Sequence, residues 1–328
     1  MKKLIQLIIL LISFAYSKGG IVSGFISDSS SGEALIGANV MIQETGQGMA
    51  TDINGYYIIQ NINPGSYTLM ASYVGFRVSR IQIILSDEES IKKDIEMVED
   101  LVQLTQVDVT AEKLQRRNNI QPSKINLSPR MMKAAPALAE PDLFRTIQAL
   151  PGVLTTSEYS TGLVIRGGNT DQNLIMLDGI TVYNPSHLGG VFSNFIVDGV
   201  KEAELIKGAY NAEYGGRLSA VLNVISREGN QKEFKGKANI SLLSAQTTLE
   251  GPFYKGAWIL SGRRTYFDLV LPKVLPDNIA TNIPPYFFYD VQGHIFSDIS
   301  SKDRLSLSYY TGIDDILFDT FGLDGRWG

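Results

Sequence analysis

The spacing of apolar and polar positions changes character four times along the chain. Residues 4–14 are apolar apart from Gln6 and Ser13, and they follow Met1-Lys2-Lys3. A basic start, a short apolar run and small residues at Ala15 and Ser17 are the parts of an export leader, so residues 1–17 are expected to be a signal peptide. The run is shorter than the ~20 residues a helix needs to cross a bilayer. From 18 to 98 short alternating segments (21–27, 38–43, 56–59, 66–71, 78–85 and 91–97) are separated by turn chemistry such as Asp52-Ile53-Asn54-Gly55 and Asn63-Pro64-Gly65. Turns at this density predict about seven short strands in a β-sandwich.

Residues 99–120 read as a linker. Within it Leu104-Thr105-Gln106-Val107-Asp108-Val109-Thr110-Ala111 is β-prone and is followed by a polar stretch. An exposed strip of this kind can add itself to the sheet edge of another protein; it can equally be one more sandwich strand or plain linker. Between 121 and 229 helical and strand patterns mix. The stretch 136–153 reads as a short helix with Pro141 in its first turn, Leu143 and Ile147 on one face, and Pro151-Gly152 ending it. The segment 173–182 reads as a hairpin about Asp178-Gly179, a pair suited to a type I′ turn. Strands follow at 201–208 and 220–226.

Residues 230–328 return to strict alternation. Phe234, Gly236, Ala238, Ile240 and Leu242 share one side, with Lys235, Lys237, Asn239 and Ser241 opposite. The phase breaks at Leu243-Ser244 and resumes with Ala245, Thr247, Leu249 and Phe253, as a hairpin requires. A third strand is expected over 257–271, carrying Trp258, Leu260, Arg263 and Arg264, then a Pro-rich loop over 272–285. Phe287, Tyr289, Val291 and Ile295 then alternate with Asp290, Gln292 and His294, and after a turn at 300–303 Leu305, Leu307 and Tyr309 alternate with Ser306, Ser308 and Tyr310. Of 31 aromatic residues (15 Tyr, 14 Phe, 2 Trp), 16 fall in this last region. Apolar-out, polar-in strands with aromatic enrichment, one long loop and short turns match an outer-membrane barrel; a water-soluble antiparallel sandwich is the competing reading.

Composition narrows the chemistry. The 328 residues carry 29 basic and 34 acidic side chains, a net charge of −5, which disfavours binding to nucleic acid phosphates. There is no cysteine, which removes disulfide scaffolds, thiolate zinc sites and cysteine nucleophiles. Two histidines leave triads and hydrolytic metal sites short of parts, and no phosphate-loop, zinc-protease or nucleophile-elbow motif occurs. His187 has no second ligand near it in sequence and reads as a packing or hydrogen-bonding residue rather than a metal ligand. An enzyme is not expected, and no cofactor or metal is called for.

Two sets of motifs carry a resemblance. Gly32-Glu33-Ala34-Leu35-Ile36-Gly37-Ala38-Asn39-Val40, Thr51-Asp52-Ile53-Asn54-Gly55-Tyr56-Tyr57, Gly65-Ser66-Tyr67 and Gly75-Phe76 resemble the carboxypeptidase-regulatory-like family, which implies a transthyretin-like or immunoglobulin-like sandwich without catalytic residues. The 136–153 segment, Gly162-Leu163-Val164-Ile165-Arg166-Gly167-Gly168-Asn169, the Asp178-Gly179 hairpin, 201–208 and Ala212-Glu213-Tyr214-Gly215-Gly216 together resemble the plug of TonB-dependent outer-membrane receptors. That resemblance implies a multi-domain chain: an all-β sandwich (18–98), an α/β plug (121–229) and the start of an antiparallel transmembrane β-barrel (230–328).

The same resemblance implies that Val107-Asp108-Val109-Thr110-Ala111 is similar to a Ton box, the strand that pairs with TonB. Arg166, beside Gly167 and Gly168, is suited to clamp a barrel-wall carboxylate. The implied activity is energised uptake of an unidentified small or oligomeric nutrient across the outer membrane of a Gram-negative cell, with the N-terminal domain in the periplasm. The implied partners are TonB with its inner-membrane complex and outer-membrane lipid, with a surface lipoprotein as a further candidate. Five strands cannot close in lipid, where each unpaired backbone group costs several kcal/mol, so the sequence is expected to be the N-terminal piece of a longer chain. The alternative function is a periplasmic or surface binding protein without transport activity.

Overall fold

The computed structural model describes residues 19–87, 89–100, 124–135, 140–157, 160–187, 189–241, 243–274, 286–300 and 303–316. The leader at 1–17, the strip Val107–Ala111 and most of the 272–285 loop lie outside the described residues. The chain divides into two compact units, Met1–Asn119 and Ile120–Gly328.

Among the described residues, the first unit is a β-sandwich of eight short strands: β1 (Gly20–Asp28), β2 (Asn39–Ile42), β3 (Gly48–Ala50), β4 (Tyr56–Ile62), β5 (Gly65–Ser72), β6 (Ser79–Leu85), β7 (Ser90–Lys92) and β8 (Ile95–Met97). One sheet has the order β3-β2-β5-β6. In the other, β1 lies between β4 and β7, and β8 runs parallel to the far end of β1. Alternate residues turn inward, so Val22, Ile26, Val40, Ile42, Ile59, Leu69, Ala71, Ile83 and Ile95 form one apolar core. Tyr57 is buried in it, and its hydroxyl donates to the Lys93 carbonyl at 2.6 Å. That contact falls where the single strand expected over 91–97 divides into β7 and β8 at Lys93-Asp94. The three-residue β3 is too short to produce a pattern of its own.

The second unit begins with an α/β body. Its elements are β9 (Lys124–Leu127), α1 (Pro129–Ala134), α2 (Leu143–Gln148), β10 (Val153–Thr155), β11 (Leu163–Ile165), β12 (Leu174–Leu177), β13 (Ile180–Thr181), β14 (Ser186–His187), β15 (Phe192–Ser193), β16 (Val200–Ile206) and β17 (Val221–Ser226). A mixed sheet has the order β13-β12-β17-β16-β9, with β12 parallel to β17. All four residues of β12 are buried, as a run without polar alternation requires. α2 starts later than expected. Asp142 is its N-cap, accepting from the Phe144 and Arg145 amides at 2.8 and 3.1 Å, so Pro141 precedes the cap instead of sitting in the first turn. Leu143 and Ile147 do share the buried face.

The described residues of the unit end in a five-stranded antiparallel meander: β18 (Lys235–Ile240), β19 (Ser244–Phe253), β20 (Gly256–Thr265), β21 (Tyr286–Asp298) and β22 (Arg304–Ile316), paired in sequence order. The phase break near Leu243 is the β18–β19 hairpin. The third strand stops at Thr265, six residues short of the expected end, and α3 (Phe267–Val274) takes its place. Leu269-Val270-Leu271 is an unbroken apolar run that offers a strand no polar face, and the Leu269 and Val270 amides turn back to the Tyr266 carbonyl. Ile240, Phe253, Leu260, Leu305, Leu307 and Tyr309 point away from the α/β body and are exposed.

One buried charge in the mixed sheet makes a pH-dependent weak point. Glu202 on β16 is 6% exposed and its Oε2 has no hydrogen-bond partner. Burial pushes its carboxyl up to about 7, with Lys124 and Lys201 holding it back. A carboxyl raised in the fold contributes stability below its ordinary value of 4.5 and loses it as pH rises through about 7. Urea unfolding from about pH 4 to about pH 8 should show this decline, and Glu202→Gln should make it shallower and gain roughly 3 kcal/mol at the alkaline end. An unaltered slope in the variant would contradict the assignment.

Candidate functional site

Every strand of the meander sends at least one polar side chain into the α/β body. From β18, Lys237 and Asn239 reach the Asp198 carboxylate, each at 2.8 Å, and Lys133 of α1 joins them at 2.5 Å. Burial would raise the Asp198 carboxyl, but the two ammonium groups outweigh it and hold it below the usual range. From β19, the Ser244 hydroxyl and Gln246 Nε2 donate to Glu140, and Glu250 accepts from Arg227 at 2.7 Å. From β22, Arg304 reaches Glu228 at 3.1 Å.

The centre of the seam is Arg263 on β20, 3% exposed. Its Nη1 donates to Glu140 Oε1 at 2.6 Å, and its Nη2 to the Ser193 carbonyl at 2.6 Å. Nε and Nη2 both donate to Asp290 Oδ2, at 2.8 and 2.5 Å, and the guanidinium lies 5.0 Å above the Phe288 ring. Asp290 is the cross-strand neighbour of Arg263 and also touches His187 of β14, which bridges on to Asp314 of β22. One guanidinium therefore ties two meander strands to two segments of the α/β body.

The positions singled out from sequence are distributed unevenly. Asp178 and Gly179 form the expected turn, with φ of 50° and 82°, the left-handed pair that a type I′ hairpin needs. Asp178 then docks on the meander, accepting from Ser308 at 2.6 Å and from the Ser226 amide at 2.8 Å. Its carboxyl lies below the usual range, because the nearby His294 ring and hydrogen bonds from Ser226 and Ser308 outweigh burial. Arg166 and Gly167 occupy an exposed turn after β11. Gly168 is there because a Cβ would fall 2.4 Å from the Ser219 hydroxyl, and Asn169 caps the short 3₁₀ turn Thr170–Gln172. Tyr214 packs on Leu174, Met176, Ile206 and Val221, with Gly215 and Gly216 in the turn beyond it.

Of these residues Asp178 reaches the seam; the buried arginine–carboxylate clamp there is Arg263 with Glu140 and Asp290. Sequence reasoning passed over Glu140 and treated Arg263 as an ordinary strand residue. The available signal was phase: Arg263 falls between Ser261 and Thr265 on the inward side of β20, where a long charged side chain needs a partner.

Comparison with known proteins agrees with this architecture. The CarboxypepD_reg-like domain family matches residues 22–109, and the TonB-dependent Receptor Plug Domain family matches residues 127–221. The chain carries a TonB-dependent receptor plug. A TonB-dependent receptor of Formosa agariphila is 28% identical over 66% of this chain, and the TonB-dependent transporter Oar of Myxococcus xanthus is 24% identical over 68% of it. Each alignment covers 22% of the relative, so the chain spans about a fifth of the length of these proteins. Among solved structures, a mutant ferric enterobactin receptor from Pseudomonas aeruginosa aligns with TM-score 0.44 at 18% identity, covering 62% of this chain and 34% of that one. The first family match runs through Val107-Asp108-Val109, so the sandwich-strand and Ton-box readings of that strip overlap there.

The plug–meander seam makes a graded prediction. Replacing Arg263 with Met leaves Glu140 buried without its cation and takes one of two cationic partners from Asp290, and should cost about 3–5 kcal/mol. Arg263→Lys should recover part of this, since one ammonium cannot reproduce the fork. Lys237→Met, at a half-exposed ammonium whose buried partner Asp198 keeps Lys133 and Asn239, should cost under about 1 kcal/mol. Urea unfolding monitored by tryptophan fluorescence ranks the three, and equal losses at positions 263 and 237 would contradict the central role of Arg263.

Proposed function

We propose that this chain is part of an outer-membrane TonB-dependent receptor. Its plug is displaced from the wall when TonB pairs with Val107-Asp108-Val109-Thr110-Ala111 and pulls, opening a path for a nutrient. The observation that carries the reading is the division of labour inside the second unit. The apolar core of the plug (Leu127, Met132, Leu143, Phe144, Ile147, Leu177, Leu205, Leu222 and Val224 among others) is drawn almost wholly from the plug itself, whereas the seam is held by side-chain hydrogen bonds and ion pairs. Water can replace such bonds as they part, so the plug can leave the wall without exposing its core. The main apolar tie is Phe192 against Tyr286 and Phe288.

Other features support the same reading. The outward side of the meander is apolar where lipid would touch it, and its inward side is polar. In this account the sandwich lies in the periplasm behind an export leader, and the partners are TonB with its inner-membrane energising complex. Arg166-Gly167-Gly168-Asn169 and Tyr214-Gly215-Gly216 shape the plug rather than contact TonB. The nutrient is bound chiefly by parts of the receptor beyond this chain.

Val109→Pro tests the box. Proline removes a backbone donor from the strand that must pair, so site-specific cross-linking of the full-length receptor to TonB should fall to background while nutrient binding persists. Cross-linking at the wild-type level would place the TonB contact elsewhere.

A further inference from the structure

The two histidines of this chain both sit at the plug–meander seam, and they differ in what they demand of a proton. His187, on β14, is 1% exposed. Its Nε2 lies 2.6 Å from Asp290 Oδ1 and its Nδ1 lies 2.8 Å from Asp314 Oδ2, while its ring stacks on Phe288 at 4.1 Å and 11°. A neutral imidazole has one N–H and can satisfy one of these carboxylates; the lone pair of its other nitrogen would then face a carboxylate oxygen. An imidazolium donates to both. His294, on β21, contacts the Ser308 hydroxyl at 2.9 Å and stays 3.7 Å from Asp178, an arrangement that a neutral ring satisfies.

We infer that His187 is a pH-dependent latch: its protonated ring fastens the plug to β21 and β22, and loss of that proton loosens the plug. The latch itself rests on the geometry; its consequence for transport rests on the proposed receptor function. Arg263, on β20, is committed to Glu140 and shares Asp290, while Asp314 also accepts from the Tyr286 hydroxyl. Tyr310 of β22 and, beyond Arg263, Asp142 are the other titratable groups near the cluster. With His187 protonated, its ring donates to both Asp290 and Asp314; without the proton, the lone pair of one ring nitrogen faces a carboxylate oxygen. Burial works against the charged ring, but hydrogen bonds and attraction from Asp290 and Asp314 outweigh it and raise its basicity above the ordinary 6.5.

The sign follows from linkage. A histidine with raised basicity in the docked state contributes its full hold below the ordinary value of 6.5 and loses it as pH climbs through the raised one. Acid tightens the plug and alkali frees it.

The test is chemical unfolding of the detergent-solubilised full-length receptor at a series of values from about pH 5.5 to about pH 9, read with a fluorophore on the plug. The wild-type plug midpoint should fall with rising pH, His187→Gln should lose the part of that fall that continues beyond the Glu202 titration near pH 7, and His294→Gln should keep the wild-type slope. Asp314→Asn, at a residue on the rim of the cluster, should move the inflection to lower pH, which keeps the latch testable if His187→Gln does not fold. A flat wild-type profile, a wild-type slope in His187→Gln, or an unmoved inflection in Asp314→Asn would overturn the latch. None of these results bears on the Ton-box cross-linking, which decides the transport reading separately.

Discussion

A guanidinium 3% exposed inside a protein must find compensating charge, because removing an ion from water costs several kcal/mol before any partner is counted. Arg263 meets that demand with Glu140, Asp290 and the Ser193 carbonyl, and in doing so it fixes the relation of the plug to the meander. Glu140 is drawn to the wall just ahead of the α2 cap. Asp290 is held between Arg263 and His187, and His187 in turn reaches β22. A pair of this kind adds little net stability over an apolar substitute, yet its geometry is demanding and its loss is costly. Such an element specifies where the plug docks more than how strongly it folds.

The same physics separates the two roles of the plug. Its mixed sheet and short helices bury their apolar faces against one another, so it keeps a core of its own. Contacts with the meander are mostly bonds that water can replace, spread over all five strands, so no single break releases the body. Docking and folding therefore respond to different residues: Leu143 and Leu222 belong to folding, while Asp198, Glu140 and Asp178 belong to docking. The opening and reclosing of the plug in the proposed function needs this separation.

Much of the architecture could be read from residue order, and the failures have physical causes. Alternation placed the β18–β19 hairpin at Leu243, set Asp290 and Gln292 inward on β21 and turned Leu305 and Leu307 outward on β22, because a half-polar sheet imposes a period of two. The Asp178-Gly179 turn was legible because few other residue pairs accept two left-handed conformations in succession. Alternation gave no warning of α3, since Leu269-Val270-Leu271 suits a buried strand as well as a helix. Pro141 misled by two positions, because Asp142 offers a better N-cap than the proline-led start and the helix begins at Leu143. The seam itself was hidden: Glu140 and Arg263 are 123 residues apart, and nothing local marks them as partners. The regulatory-like sandwich and the plug, by contrast, announced themselves through several short motifs in fixed order.

The account depends on the plug being a separately folded body held in place through Arg263. Hydrogen exchange on the full-length receptor carrying Arg263→Met measures this most directly. Amides of β12, β16 and β17 should keep wild-type protection, while amides of 185–199, which meet the meander, should exchange faster. Loss of protection throughout the plug sheet would mean that the fold and the docking of the plug are one transition, contradicting the separation on which the proposed function rests.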